Sequence, residues 1–220
     1  MKKKVRNNKV ILASILALGC LTAASVGFSS WVIAAQDINN KTFNVNVTVA
    51  DVEDHRFNVD ASSKSKIKLG PSTKGPYISY SESAPEEALD FSFSLTFTSN
   101  DGKAFDFTSL GDQSFNINFS FTDTLKINDD GYEYIKFPSG TIGTISKSGF
   151  IASGTTDPKS SNEITYNGTL NWGSYFDNQN PSKLEVPTKV DSYIKGLSHL
   201  KECLKDNAAF VIAVNIVKAV

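Results

Sequence analysis

The chain has 220 residues, 40% of them hydrophobic, which suits one domain with a real core and requires no second. Its net charge of -1 hides an asymmetry: Lys2, Lys3, Lys4, Arg6 and Lys9 crowd the start, so the remainder is mildly acidic and lacks the basic stripe that a nucleic-acid partner requires. Only Cys20 and Cys203 are present, the first within an apolar stretch, which excludes a domain stapled by internal disulfides.

Behind the lysine cluster, Val10 to Ala35 run without a charge, the basic and apolar parts of an export signal. The run exceeds the ~20 residues needed to cross a bilayer, and its flanking lysines suit the cytoplasmic side. Residues 1–35 are therefore predicted to form a hydrophobic signal or anchor helix, and residues 36–220 an exported domain, extracellular or held in the cell envelope. Thr22-Ala23-Ala24 and Val32-Ile33-Ala34 both offer cleavage positions, and an uncleaved membrane anchor is the alternative. Cys20, in Ala17-Leu18-Gly19-Cys20, is the candidate lipidation site, although two positions depart from the usual Leu-small-small-Cys box. Trp31 reads as an interfacial anchor of that segment.

Strict alternation follows. Phe43, Val45, Val47 and Val49 are apolar between polar Asn44, Asn46 and Thr48, the pattern of a half-buried strand. It returns at Phe91, Phe93, Leu95 and Phe97, and at Phe115, Ile117, Phe119 and Phe121. The 15 phenylalanines favour strands, since aromatic rings fit a pleated surface with one face covered. Ser99-Asn100-Asp101-Gly102 and Asn128-Asp129-Asp130-Gly131 carry turn chemistry, which predicts antiparallel pairing of neighbours.

Residues 60–88, rich in Ser, Lys, Gly and Pro, read as a surface excursion with short strands near Lys66–Leu69 and Tyr77–Tyr80. Further short strands are expected at Tyr132–Phe137, Thr141–Ile145, Gly149–Ser153 and Glu163–Trp172, with a loop from Thr155 to Asn162. Helical spacing of Val190, Tyr193, Ile194, Leu197, Leu200 and Leu204 predicts one helix capped by Asp191. Phe210–Val217 should then be a strand covered on both faces, with the helix lying on its sheet. The expected fold is mainly β: an antiparallel β-sandwich or jelly roll with one C-terminal helix.

No catalytic motif accompanies this pattern. His55 and His199 belong to no zinc-binding spacing, and Cys203 reads as a thiol packed like a small hydrophobe. Asn128, Asp129 and Asp130 resemble half a calcium loop but lack its terminal Glu. Asp90, Glu133, Glu163 and Glu185 are available carboxylates that no motif pairs. The expectation is a non-enzymatic protein without metal or cofactor. One aromatic cluster, Trp172, Tyr175 and Phe176, is a candidate ligand-binding platform, with carbohydrate as the natural ligand; packing in the core is the competing reading.

The lysine-led leader closing in Gly27-Phe28-Ser29-Ser30-Trp31, and the β-rich remainder, resemble small exported proteins of low-GC Gram-positive bacteria, distantly the TasA and camelysin group of biofilm-fibre subunits. Leu170-Asn171-Trp172-Gly173-Ser174-Tyr175-Phe176 followed by Asn180-Pro181 is similar to a segment of exported proteins from the same bacteria. In that group an aromatic is usually followed by Phe, Thr or Ser and Asp at the leader's end, whereas Trp31-Val32-Ile33 stands here. The resemblance implies a jelly-roll-like domain with a structural or matrix role. It also raises the case for self-association: Thr42–Val49, followed by the charged stretch Asp51–Arg56, is an N-terminal strand that by default pairs within its own domain, and alternatively completes the open sheet edge of a neighbour.

Overall fold

The computed structural model describes residues 42–70, 87–205 and 208–219. The leader with Cys20 and Trp31, and the short strand expected at Tyr77–Tyr80, lie outside the described residues. Among those residues the protein is mainly β with one C-terminal helix, and no helix is long and apolar enough to cross a membrane.

Eleven strands follow in order: β1 (Phe43–Val52), β2 (Phe57–Ser62), β3 (Lys66–Ile67), β4 (Asp90–Ser99), β5 (Phe115–Thr122), β6 (Ile135–Lys136), β7 (Ser139–Ser146), β8 (Gly149–Ala152), β9 (Glu163–Thr169), β10 (Asn171–Trp172) and β11 (Ala209–Lys218). The helix α1 spans Val190–Cys203, between β10 and β11. A six-stranded sheet runs in the order β3-β1-β11-β5-β7-β8, a three-stranded sheet in the order β2-β4-β9, and β10 pairs with β6.

The sequence periodicity sets the inward faces. Phe91, Phe93, Leu95 and Phe97 of β4 are buried, as are Phe115, Ile117 and Phe119 of β5 and Phe210, Ile212, Val214 and Ile216 of β11. The two sheets meet through rings: Phe91 lies 5.0 Å from Phe121, and Tyr166 of β9 lies 4.6 Å from Phe119. Ser92 and Ser94 are half-buried: Ser65 Oγ accepts the Ser92 N–H at 2.7 Å, and Ser94 Oγ lies 3.0 Å from Thr165 Oγ1. Thr96 is exposed, as its place in the alternation requires.

Several expectations need correction. The six-stranded sheet is mixed, because β1 runs parallel to β11 from Asn44↔Ala209 to Val52↔Ile216. Neighbours β4 and β5 do not pair but face each other from different sheets. Their connection turns at Gly102, which holds φ +79 and donates to the Ser99 carbonyl, and continues through a 3-10 turn at Phe107–Leu110. Residues 60–70 are no surface excursion, since Ile67 and Leu69 are in the core and β2 extends through Ser62. Asn128–Gly131 is not a hairpin turn: β5 pairs with β7, while β6 leaves to meet β10. Asp191 lies in the first turn of α1 instead of capping it, and Lys189 holds the cap position without a side-chain bond.

The helix lies against the 3-10 turn Ser174–Phe176. Tyr193 meets Phe176 edge to face at 5.2 Å. Gly196 permits that approach, because a Cβ there would stand 2.4 Å from the Tyr175 ring and 2.8 Å from that of Phe176.

Candidate functional site

Trp172, Tyr175 and Phe176 are separated by their environments. β10 holds Trp172 opposite Ile135 of β6, where its ring is 4% exposed and Nε1 donates to Glu87 Oε1 at 2.5 Å. Phe176 is completely buried, with Trp172, Tyr175 and Tyr193 ringed around it at 5.2–5.3 Å. Tyr175 is half-buried; its hydroxyl donates to the Ser192 carbonyl at 2.9 Å, and its ring contacts Tyr132 at 5.2 Å and Tyr134 at 4.5 Å. Only Tyr175 of the three therefore reaches the surface, beside Tyr132, which is 54% exposed. Tyr132 escapes sequence reading because its strand-like neighbourhood gives no sign that it folds back onto residue 175.

Behind these rings lies a polar knot. Glu87 Oε1 also accepts from Asn180 Nδ2 at 2.6 Å, the same nitrogen donates to the Gly70 carbonyl at 2.8 Å, and Asn180 Oδ1 accepts from Ser182 N–H at 2.9 Å. Asn180 is buried, so these bonds satisfy an amide that would otherwise lose its hydration. They join the chain on both sides of residues 71–86, and the Lys68–Ala88 bridge reinforces that closure.

A further tie fixes the start of α1. Asp177, in the left-handed conformation at φ 55, accepts from Lys189 Nζ at 2.6 Å and from the Tyr193 hydroxyl at 2.8 Å. The Lys189 ammonium, then the tyrosine hydroxyl, hold the Asp177 carboxyl below its ordinary range. Burial, then the bond to Asp177, pushes the Tyr193 phenol up.

Of the remaining candidates, only His199 and Cys203 come together. His55 is exposed in the turn after β1. His199 is half-buried, stacked on Tyr134 at 4.5 Å with 26° between the rings. Cys203 lies one turn beyond, its Sγ 3.4 Å from His199 Nε2. Asp90 bonds Thr169 across β4–β9 at 2.6 Å, Glu133 receives the Ser174 N–H at 3.2 Å, Glu163 opposes Thr96, and Glu185 is exposed after the Pro181–Lys183 turn. The four carboxylates lie in separate segments of the chain. In the open groove of about 480 Å³ beside Glu53, Arg56 and Lys218, the carboxylates and the Arg56 guanidinium are engaged internally. There Asp54 grips the Arg56 guanidinium, whose bond holds the Asp54 carboxyl low, and Glu53 accepts the Lys218 N–H at 2.6 Å.

No protein-family model, no curated protein and no solved structure matches this chain.

Proposed function

We propose that this chain is an exported, non-enzymatic subunit of a cell surface or extracellular matrix, a sandwich of jelly-roll type whose copies associate through β1. The carrying observation is the placement of β1. It is paired along one edge with the last strand in parallel register, while its other edge meets β3 only at Phe43 and Asn44. A parallel pair formed by the two ends of a domain needs no local connection between its strands. The same strand from a second copy can therefore occupy the same position on β11, a strand-addition mode in which main-chain hydrogen bonds supply affinity. Phe43 and Val45 seat the first half of β1 in the core, whereas Val47, Val49 and Val52 are only half-buried. The leader, a lysine-rich start followed by the uncharged run Val10–Ala35, provides the route out of the cytoplasm and a hold on the membrane.

Sedimentation of protein lacking Met1–Ala35 tests the assembly. Concentration-dependent oligomers are expected, and Val45→Pro should abolish them by removing the N–H that ties β1 to the Ser65 carbonyl and by clashing with the sheet geometry of β1. Circular dichroism must show that the β signal survives the substitution. A protein that remains monomeric across concentration and pH would refute association through β1.

A second reading is an extracellular ligand-binding module, favoured by the edge-to-face pair of exposed Tyr132 and half-buried Tyr175. Rings presented in this way can stack on the apolar face of a sugar. Oligosaccharide binding that is lost in Tyr132→Ala, with the thermal midpoint retained, would support that reading over the first.

A further inference from the structure

We propose that His199 and Cys203 form a binding site for a soft or borderline metal cation of the zinc type, with the carbonyl oxygens of Lys126 and Ile127 as neighbouring donors. The two side chains are four residues apart near the end of α1, the spacing that stacks side chains on one helix face. Cys203 Sγ and His199 Nε2 are 3.4 Å apart, Nε2 is 3.0 Å from the Ile127 oxygen, and Sγ is 3.6 Å from the Lys126 oxygen. With a zinc–sulfur bond of about 2.3 Å and a zinc–nitrogen bond of about 2.05 Å, that separation corresponds to an angle of roughly 103° at the metal, close to tetrahedral.

The electrostatics favour a cation over an independently reactive thiolate. Cys203 is the last residue of α1, at the negative end of the helix dipole, and two loop carbonyls face the same pair. All of these raise the cost of a bare thiolate and lower that of a bound positive ion. On binding, the thiol proton leaves to solvent and the sulfur coordinates as thiolate.

The donors are also held in advance. Lys126 is fixed at φ 53, and the Asp123 carboxylate accepts the N–H groups of Ile127 at 2.8 Å and Asn128 at 2.7 Å. The Asn128 amide bonds Tyr134 N–H at 2.9 Å and the Ile135 carbonyl at 2.6 Å, which joins this loop to the residue stacked on the His199 ring. Both metal-binding side chains are half-buried, so an ion can enter from solvent. Among the described residues no third His, Cys, Asp or Glu completes the set. Oxygen from the carbonyls or water must fill the other positions, which predicts an exchangeable ion rather than a closed structural centre. A thiolate with an imidazole selects zinc or cadmium against calcium and magnesium.

The test uses the full-length chain in mild detergent, without a polyhistidine tag and with Cys20→Ala to remove the other thiol. Titration with cadmium should give the ultraviolet thiolate-to-metal band, saturating at one ion per chain, reversed by zinc and unaffected by excess magnesium. Cys203→Ser should abolish the band. His199→Gln should weaken binding ~10-fold or more while the circular dichroism spectrum is retained. Absence of a saturable band, or His199→Gln with unchanged affinity, would overturn the proposal, the latter by showing capture by the thiol alone.

Discussion

Replacing Phe176 by alanine separates a core role from a binding role more cleanly than any other substitution in the aromatic cluster. Its ring has no exposure and is surrounded by Trp172, Tyr175, Tyr193 and, at 6.1 Å, Tyr134. Truncating a buried Phe costs about 3–5 kcal/mol through lost transfer energy and the cavity left behind. Each edge-to-face partner adds ~0.5–1.5 kcal/mol beyond area, and the cavity would open between α1 and β10, which cannot easily collapse because Gly196 already brings the helix against these rings. The expected loss of ~4 kcal/mol is a large part of the roughly 5–15 kcal/mol that holds a domain folded. For a domain of this size it corresponds to about 8–16 °C in the thermal midpoint. Urea unfolding followed by near-ultraviolet circular dichroism measures it, with Phe176→Leu expected to recover more than half of the loss. A Phe176→Ala midpoint within ~1 kcal/mol of wild type would refute the packing argument.

Other perturbations probe other ties. Phe119→Ala, which removes the ring joining β5 to Tyr166 and Phe93 of the facing sheet, should also cost about 3–5 kcal/mol by urea denaturation. Asn180→Ala leaves the Gly70 carbonyl and Glu87 short of donors and should cost ~2 kcal/mol or more. Asn180→Asp should be worse, since it sets a carboxylate against Glu87, and an equally stable Asp variant would remove the knot from the stability argument. The folded-state pKa of Asp177 is depressed, so its contribution is present above the unfolded value of ~3.9 and is lost as pH falls through the folded value. Acid titration of the thermal midpoint should thus fall less steeply below pH ~4 in Asp177→Asn than in wild type.

Periodicity made the principal strands legible. β4 and β5 each have one face against the other sheet, so large apolar side chains recur at every second position and the inward set could be read directly. β2 was missed because Val59 and Ala61 follow Phe57 as small or partly exposed residues, giving little amplitude to the alternation. Composition misled at Ile67 and Leu69, where serines and lysines on either side suggested solvent although the two apolar side chains enter the core. Pairing was beyond a local pattern altogether: nothing within Phe43–Val52 specifies a parallel partner at the other end of the domain. The His199 and Cys203 spacing was visible, but each residue taken by itself has an ordinary explanation. Their juxtaposition with Lys126 and Ile127 needs the loop that Asp123 braces.

The parallel union of β1 with β11 also orders events in time. β11 is central in its sheet, flanked by β1 and β5, yet among the described strands it is the last to be synthesised. Until residue 209 arrives, β1 has only the two-residue β3 beside it, and β5 lacks its β11 neighbour. Joining β1 to β11 closes a loop spanning most of the domain, and such non-local pairing slows folding. The half-assembled chain therefore keeps a long apolar-faced strand unsatisfied for most of its synthesis. That delay makes the interval before β11 docks the period of greatest exposure to aggregation. Pulse proteolysis during refolding should accordingly find β1 protected only together with β11, and later than the β4–β9 pair.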